Sequence, residues 1–334
     1  QAEDGIRDRS PSRGLGDVYK RQMKYIVTLS PLLKSALLLC AGLSIFGFAD
    51  NFIMLISDQV GVGQFHFSRS LIASLAVICF AFYFNENLRP KNIKMVLIRT
   101  FFNVIAMILY FGVIPMMPIA EAGAGLFTSP IFVLLFSFLI FREKIKIIQI
   151  ASFIIGLTGV FLILGTQISS LTIYHTLPLL AGATYAMGTI ITNKYCKDES
   201  PLSLLLMFLS SIGVVGLLIS IFFTVNPVNS IHFNSAPFIF MGWQQTNAFY
   251  WYIMVFLGLS AALAIYFIIL AYQIYKPSYS SIYEYSYLIS AGFFGWLFWN
   301  QIPSLMSLIG ILAIIFAGIN IAINSSHNDE NEKI

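Results

Sequence analysis

Charge is what this chain has least of. Charged residues fill 10 % of its 334 positions, against about 25 % in ordinary soluble domains. So few charges cannot cover a water-facing surface of that size, which excludes a cytosolic enzyme and a disordered protein. The net charge of +4 is too small to imply an anionic partner, so a nucleic-acid binder is excluded as well. Cysteine is scarce. Cys40, Cys79 and Cys196 lie far apart with no CxxC, so no metal site and no disulfide framework is read from them. They read instead as small buried apolar residues. There are 4 histidines and no HExxH, GxSG or Walker A motif. That weighs against an intramembrane enzyme and excludes ATP drive within this chain. A channel or receptor is the other alternative, but no repeated filter loop or soluble sensor domain is visible. No cofactor is expected.

What is present is apolar. Hydrophobic residues make up 58 %, with 31 Phe and 16 Tyr but 4 Trp, and the mean hydropathy is +0.82. A membrane span needs about 20 mostly apolar residues. Such runs fall near 35–56, 66–85, 95–114, 118–141, 147–165, 177–195, 202–224, 249–272, 278–299 and 303–323. Turn signals separate them, among them Gly61-Val62-Gly63, Arg89-Pro90-Lys91, Ser200-Pro201 and Lys276-Pro277. Continuous runs without period-2 alternation choose helices over a barrel. The expectation is an all-α membrane protein of ten transmembrane helices.

Alternate loops carry the basic residues: Arg89, Lys91 and Lys94; Arg142, Lys144 and Lys146; Lys194 and Lys197; Lys276. The intervening loops have neither Lys nor Arg. That asymmetry puts the basic loops and both termini in the cytoplasm of a multi-pass inner-membrane protein. Residues 1–22 are polar, mixed in charge and without an apolar h-region, so they are no secretory signal. They resemble translated sequencing-adapter read-through and are read as a non-native leader ahead of Met23. Residues 324–334 read as a polar tail.

Five spans per half would return a repeat inverted in the membrane. Pro118, Ile150, Ile155 and Gly159 recur as Pro277, Ile309, Ile314 and Gly318, and Leu37, Leu39, Ala41 and Gly42 recur as Leu177, Leu179, Ala181 and Gly182. The halves are placed at 33–165 and 175–323. Inverted repeats are an architecture of secondary transporters, with the substrate near the midplane between them.

The stretch Met117–Leu164 combines Pro118, an Ala120-Glu121-Ala122 small-residue run, mid-helix Pro130, Glu143 and a Gly-spaced last helix. It resembles the end of an EamA domain of the drug/metabolite transporter superfamily. Phe67-Ser68-Arg69-Ser70-Leu71-Ile72-Ala73 is similar to that family's second-helix signature. Tyr283-Glu284-Tyr285, Gly295-Trp296 and Pro303 resemble the second EamA domain of the branch with riboflavin and S-adenosylmethionine carriers. One departure is Asn300-Gln301, where the family often has Glu. The resemblance implies a ten-helix carrier of a small organic metabolite, such as an amino acid, flavin, nucleoside or S-adenosylmethionine-like molecule. Its partners are then the substrate and the lipid bilayer, with protons as a coupling ion and a homodimer left open.

Ionisable groups inside a bilayer cost about 2.5–3.5 kcal/mol each on insertion scales, and they face a bundle or cavity. Five stand inside the runs: Asp50, Arg69, Arg99, Glu121 and Glu284. Asp50, Arg69 and Glu121 share the outer third, so Arg69 is expected to pair with Asp50 or Glu121, as a static bridge or as a gate. Arg99 either snorkels to the interface or lines a path with Asn103, one turn on. Glu284 suits substrate or proton coupling. Tyr279, Tyr283 and Tyr287 repeat at i, i+4 and i+8, either as a stacking face for substrate or as interfacial packing. His66 is expected at the outer interface. Thr184, Tyr185 and Asn193 read as polar helix glue.

Overall fold

The computed structural model describes residues 29–116, 119–140, 142–164, 176–229, 233, 236–300 and 305–331. The leader 1–22, Pro118 and Pro303 lie outside the described residues. Among those described, every regular element is helical. They are α1 (Pro31–Ala49), α2 (Val62–Phe84), α3 (Ile93–Val113), α4 (Ile119–Leu126), α5 (Ser129–Leu139), α6 (Ile147–Leu164), α7 (Thr176–Tyr195), α8 (Pro201–Val225), α9 (Pro237–Phe240), α10 (Ala248–Ile274), α11 (Pro277–Ser280), α12 (Ser286–Trp299) and α13 (Leu305–Asn331). Short 3₁₀ turns occupy Asp50–Leu55, Ile114–Met116 and Ser281–Tyr285.

Local chemistry starts and stops these helices. Ser30 Oγ accepts from Leu33 N at 3.3 Å, with Pro31 in the first turn of α1. Asn92 caps α3 and Asn247 caps α10 in the same way. Asn85 ends α2 in the left-handed conformation, φ 54°.

The fourth and ninth windows, read from sequence as single spans, are each broken. Before α5, Thr128 Oγ1 donates to Gly125 O at 2.7 Å, and Pro130 has no N–H to continue the α4 ladder. In the ninth window α11 passes through 3₁₀ turns into α12. At the other extreme, α13 runs past its expected window into the polar tail.

Five helical segments are long and apolar enough to cross a membrane by length and composition: Pro31–Leu55, Val62–Phe84, Ile93–Val113, Pro201–Val225 and Ala248–Ile274. Their outer faces carry large exposed apolar side chains, Phe82 at 87 % and Leu218 at 60 % among them. A water-soluble protein does not display such a girdle.

The helices pair closely: α2 with α8, α6 with α13, α3 with α7, α1 with α10, α1 with α12, and α7 with α4 and α5. At the α2–α8 crossing Gly63 and Gly216 face each other. A Cβ on either would stand 2.6 Å from the other's carbonyl oxygen, so only glycine permits this approach.

The basic loops gather at one end. Glu199 accepts backbone N–H groups from Lys91 and Asn92 at 2.7 and 2.6 Å. Gln273 Nε2 donates to the carbonyls of Cys196 and Glu199. Lys194 bridges Glu143 at 2.9 Å, and Ser278 Oγ donates to Glu143 at 3.3 Å. At the far end Gln64 and Gln244 exchange hydrogen bonds and Trp243 N donates to Thr224.

Candidate functional site

A cavity of ≈ 80 Å³ lies between α1, α2, α3, α4, α7, α8, α10 and α12. Its wall is mostly apolar and aromatic, and the charged side chains on it are Asp50, Arg69 and Arg99.

Toward the far end, Asp50 is the first residue beyond α1 and is buried. Tyr287 OH donates to Asp50 Oδ2 at 2.8 Å, and the Tyr287 and Tyr110 hydroxyls stand 2.9 Å apart. Arg69, buried on α2, lies over two aromatic faces. Its guanidinium carbon is 4.8 Å from the Phe65 centroid, one turn back, and 4.5 Å from that of Phe111. Nη2 is 3.4 Å from His66 Nδ1, and Nε has no hydrogen-bond partner. Asp50 lies in the field of Arg69, yet no ion pair within 4.0 Å joins the two. The expected Arg69–Asp50 bridge is therefore absent: the two charges face one cavity without touching. The side chain of Glu121, the other expected partner on α4, lies outside the described residues.

His66 is 1 % exposed and not interfacial. The 237–247 segment folds over the start of α2, and the His66 ring meets Phe65 and Phe111 edge-on.

Toward the basic end, Arg99 is buried. Nε donates to Thr192 Oγ1 at 3.0 Å and Nη1 to Leu204 O at 3.1 Å. Those bonds hold it inward, so it does not snorkel. Asn103 Nδ2 donates to Arg99 O at 3.0 Å, and both side chains line the cavity.

Glu284 sits in the 3₁₀ turn, fully buried. Ser129 Oγ donates to Oε2 at 2.6 Å and Tyr272 OH donates to Oε1, with Tyr185 beside the carboxyl. Tyr272 and Tyr185 line the cavity and Glu284 does not. The carboxyl is one hydroxyl removed from the space.

The tyrosine ladder does not form. Tyr287 faces the cavity, but Tyr283 OH donates to Gly318 O on α13 at 2.9 Å, and the Tyr279 ring packs on Tyr275. The 3₁₀ turn between them has three residues per turn, so i and i+4 no longer share a face.

Ser129, Tyr272 and Tyr110 were not singled out from sequence. The available signal was a hydroxyl within an apolar run, a group that must find a partner when buried.

Against known families, residues 33–165 match the EamA-like transporter family. That match covers an EamA-like segment in the first half of this chain. The chain carrying it is 27 % identical over 202 residues to the riboflavin transporter of Brucella anthropi, covering 60 % of this chain and 66 % of that one. It is 22 % identical to the pseudopaline exporter CntI of Pseudomonas aeruginosa, over 86 % of this chain and 96 % of the exporter. It is 23 % identical to the S-adenosylmethionine uptake transporter of Rickettsia prowazekii, over 75 % and 79 %. A solved crystal structure shares the fold at TM-score 0.70 and 13 % identity, covering 88 % of this chain and 96 % of that one. These EamA-like relatives bear out the resemblance to the drug/metabolite transporter superfamily, and with the apolar girdle they mark a multi-pass membrane protein.

Proposed function

We propose that this EamA-like chain is a secondary transporter. It carries a small organic metabolite across the inner membrane by alternating access between two inverted five-helix repeats. The observation that carries this reading is the central cavity, walled by both halves: Asp50, Arg69 and Arg99 from the first and Tyr185 and Tyr272 from the second line one space inside an apolar girdle, with Glu284 behind the Tyr272 hydroxyl.

Helix pairing supports the repeat. If the helices of the two halves are matched in order, α2–α8 and α6–α13 are each a pair of equivalents. The α3–α7 contact maps onto α10–α1, and α7 against α4 and α5 maps onto α1 against α12. Such reciprocity is expected of a twofold axis. The gathering of the basic loops at one end supports cytoplasmic termini. Glu284, buried among hydroxyls that reach the cavity, is the proposed proton-coupling group, and Asn103, Arg99 and Tyr287 are wall residues of the path.

Counterflow in proteoliposomes tests this reading. Vesicles preloaded with amino acids, flavins, nucleosides or S-adenosylmethionine should draw in the labelled form of at least one. Exchange of none across the panel overturns it. A passive channel, the second reading, would leak label without needing substrate inside.

A further inference from the structure

The connection between α8 and α10 lies across the far end of the cavity. Its residues 236–247 belong to the second half of the chain and rest on the first. Here α9 packs on α2 and α3, with Phe238 buried and its ring 6.1 Å from that of Phe65. Phe65 stands against Phe111, and Arg69 lies over both rings. Phe111 and Arg69 line the cavity, so one layer of rings separates this segment from the space. Beyond α9 the backbone crosses Gly61 so closely that a Cβ there would meet the Met241 carbonyl.

The polar grip on this segment is slight. The buried amide of Gln64, in the first turn of α2, donates from Nε2 to Gln244 O at 2.9 Å and accepts from Gln244 N on Oε1 at 2.8 Å. Residues 236–247 contain no charged side chain, so no ion pair can hold them. The basic end has the same arrangement in another chemistry. Glu199, just ahead of α8, accepts the backbone N–H groups of Lys91 and Asn92 in the α2–α3 connection. At each end a side chain at the start of one half's second long helix grips the backbone between the other half's second and third. The match is reciprocal, as the helix pairing is.

We propose that residues 236–247 are the door at the far end of the cavity, latched onto the first half by the Gln64 amide. The proposal rests on the transporter reading and names what regulates access to the same cavity from one side. When the latch breaks, Phe238 leaves Phe65, and the ring layer above Arg69 loses its cover.

The test follows a cysteine placed in the cavity wall, Thr189→Cys, in a background with Cys40→Ser, Cys79→Ser and Cys196→Ser. A bulky membrane-impermeant maleimide is added to spheroplasts and to inverted membrane vesicles, which present opposite ends. Its rate at residue 189 is read by peptide mass spectrometry. Gln245→Cys, exposed on the door, shows which preparation presents it. From the door's side, Gln64→Leu should speed labelling about 5- to 30-fold, the loss of one to two neutral hydrogen bonds. Gln244→Ala should leave the rate unchanged, since the backbone of residue 244 makes both bonds. Gly112→Cys with Ile239→Cys supplies a lock. A Cβ at Gly112 would stand 3.6 Å from Ile239 Cγ1, the position a sulfur takes, within reach of a disulfide. Once oxidised, the pair should abolish labelling from the door's side and spare labelling from the other; reduction should restore it. The lock stands as a test even if Gln64→Leu fails to fold. Labelling from the door's side that ignores the lock overturns the proposal, as does an absence of labelling from that side in every variant. Failure of the transporter reading gives a different pattern. A lock that blocks the door's side, with residue 189 never reached from the basic end, keeps the door and sinks alternating access. Labelling from both ends that ignores the lock does the reverse.

Discussion

The two polar levels of the cavity contain similar parts and use them oppositely. Each has an arginine from one helix, a carboxylate from a 3₁₀ turn, and tyrosines between them. At the basic end the parts are tied to the protein. Arg99 holds Thr192 and the Leu204 carbonyl, while Glu284 is enclosed by Ser129, Tyr272 and Tyr185. At the far end Arg69 rests on rings, and Asp50 holds one tyrosine. The basic level is tied into the protein, whereas the far level keeps hydrogen-bonding capacity unused on Arg69 Nε. A carboxylate screened by hydroxyls is suited to exchanging a proton through them; one that faces open space beside an arginine is suited to a ligand.

The sharpest way to break this contrast is at Glu284. Glu284→Ala removes the shared acceptor of buried hydroxyls, each worth about 1–3 kcal/mol when left unsatisfied, so a loss of several kcal/mol in thermal or denaturant stability is expected. Glu284→Gln keeps size and hydrogen bonding and should stay folded. It should lose uptake driven by a proton gradient by about tenfold or more, while substrate exchange survives. Normal gradient-driven uptake by Glu284→Gln between pH 5.5 and 8 would move the coupling role to Asp50 or Glu121. Loss of exchange as well would place Glu284 in substrate binding.

That contrast was half legible in the sequence. Asp50, Arg69, Arg99, Asn103 and Glu284 stand out because an ionisable or amide group in an apolar run costs too much to be incidental. Their depth could be read too, since Arg69 falls near the start of α2 and Arg99 near the start of α3, which run in opposite directions. The helical character of the apolar runs was legible from run length and turn chemistry, and five of the described segments are long and apolar enough to cross a membrane.

What no single sequence exhibits is which hydroxyl answers which charge. Tyr272 lies twelve residues from Glu284, but Ser129 lies 155 away and Tyr110 lies 177 from Tyr287. Those partners are set by helix crossings, and the crossings by glycines such as Gly63 and Gly216 that look like ordinary span residues. The tyrosine ladder failed for a local reason: helical periodicity was applied across residues 281–285, where the backbone is wound as 3₁₀. Of the two partners expected for Arg69, Asp50 is not bridged to it, the guanidinium lying instead over the Phe65 and Phe111 rings, and the side chain of Glu121 lies outside the described residues.

A smaller effect is expected at Arg99. Arg99→Lys keeps the charge but not the fork, so one point-charge ammonium replaces donors aimed at Thr192 and Leu204. A stability loss of about 1.5–3 kcal/mol follows from hydrogen bonds to a charged group. Affinity for substrate should change less than in Arg69→Lys. If the order is reversed, with Arg99→Lys costing binding and Arg69→Lys costing stability, the assignment of the two levels is inverted.

The smallest effect lies outside the cavity, at the link between Lys194 and Glu143. The pair is 2.9 Å apart and partly exposed, so its contribution is about 0.2–1 kcal/mol. It joins the loop after α5 to the end of α7 where the basic loops meet. Next to it Cys196 is fully buried, with its carbonyl held by Gln273. Burial pushes the Cys196 thiol up to about 11, so at pH 7 only about one molecule in ten thousand is thiolate while this end stays closed. Opening would return the thiol toward its ordinary range and expose it, so maleimide labelling of Cys196 reports opening at this end. In a background with Cys40→Ser and Cys79→Ser, Glu143→Gln should raise the labelling rate about 1.4- to 5-fold, the stated energy read as a population shift. High salt should raise the rate of the parent toward that of the variant. An unchanged rate would mean that the Glu199 and Gln273 contacts alone hold this end shut. A rise of a hundredfold would make the Lys194–Glu143 pair a principal latch, contributing about 2.7 kcal/mol to closure of this end.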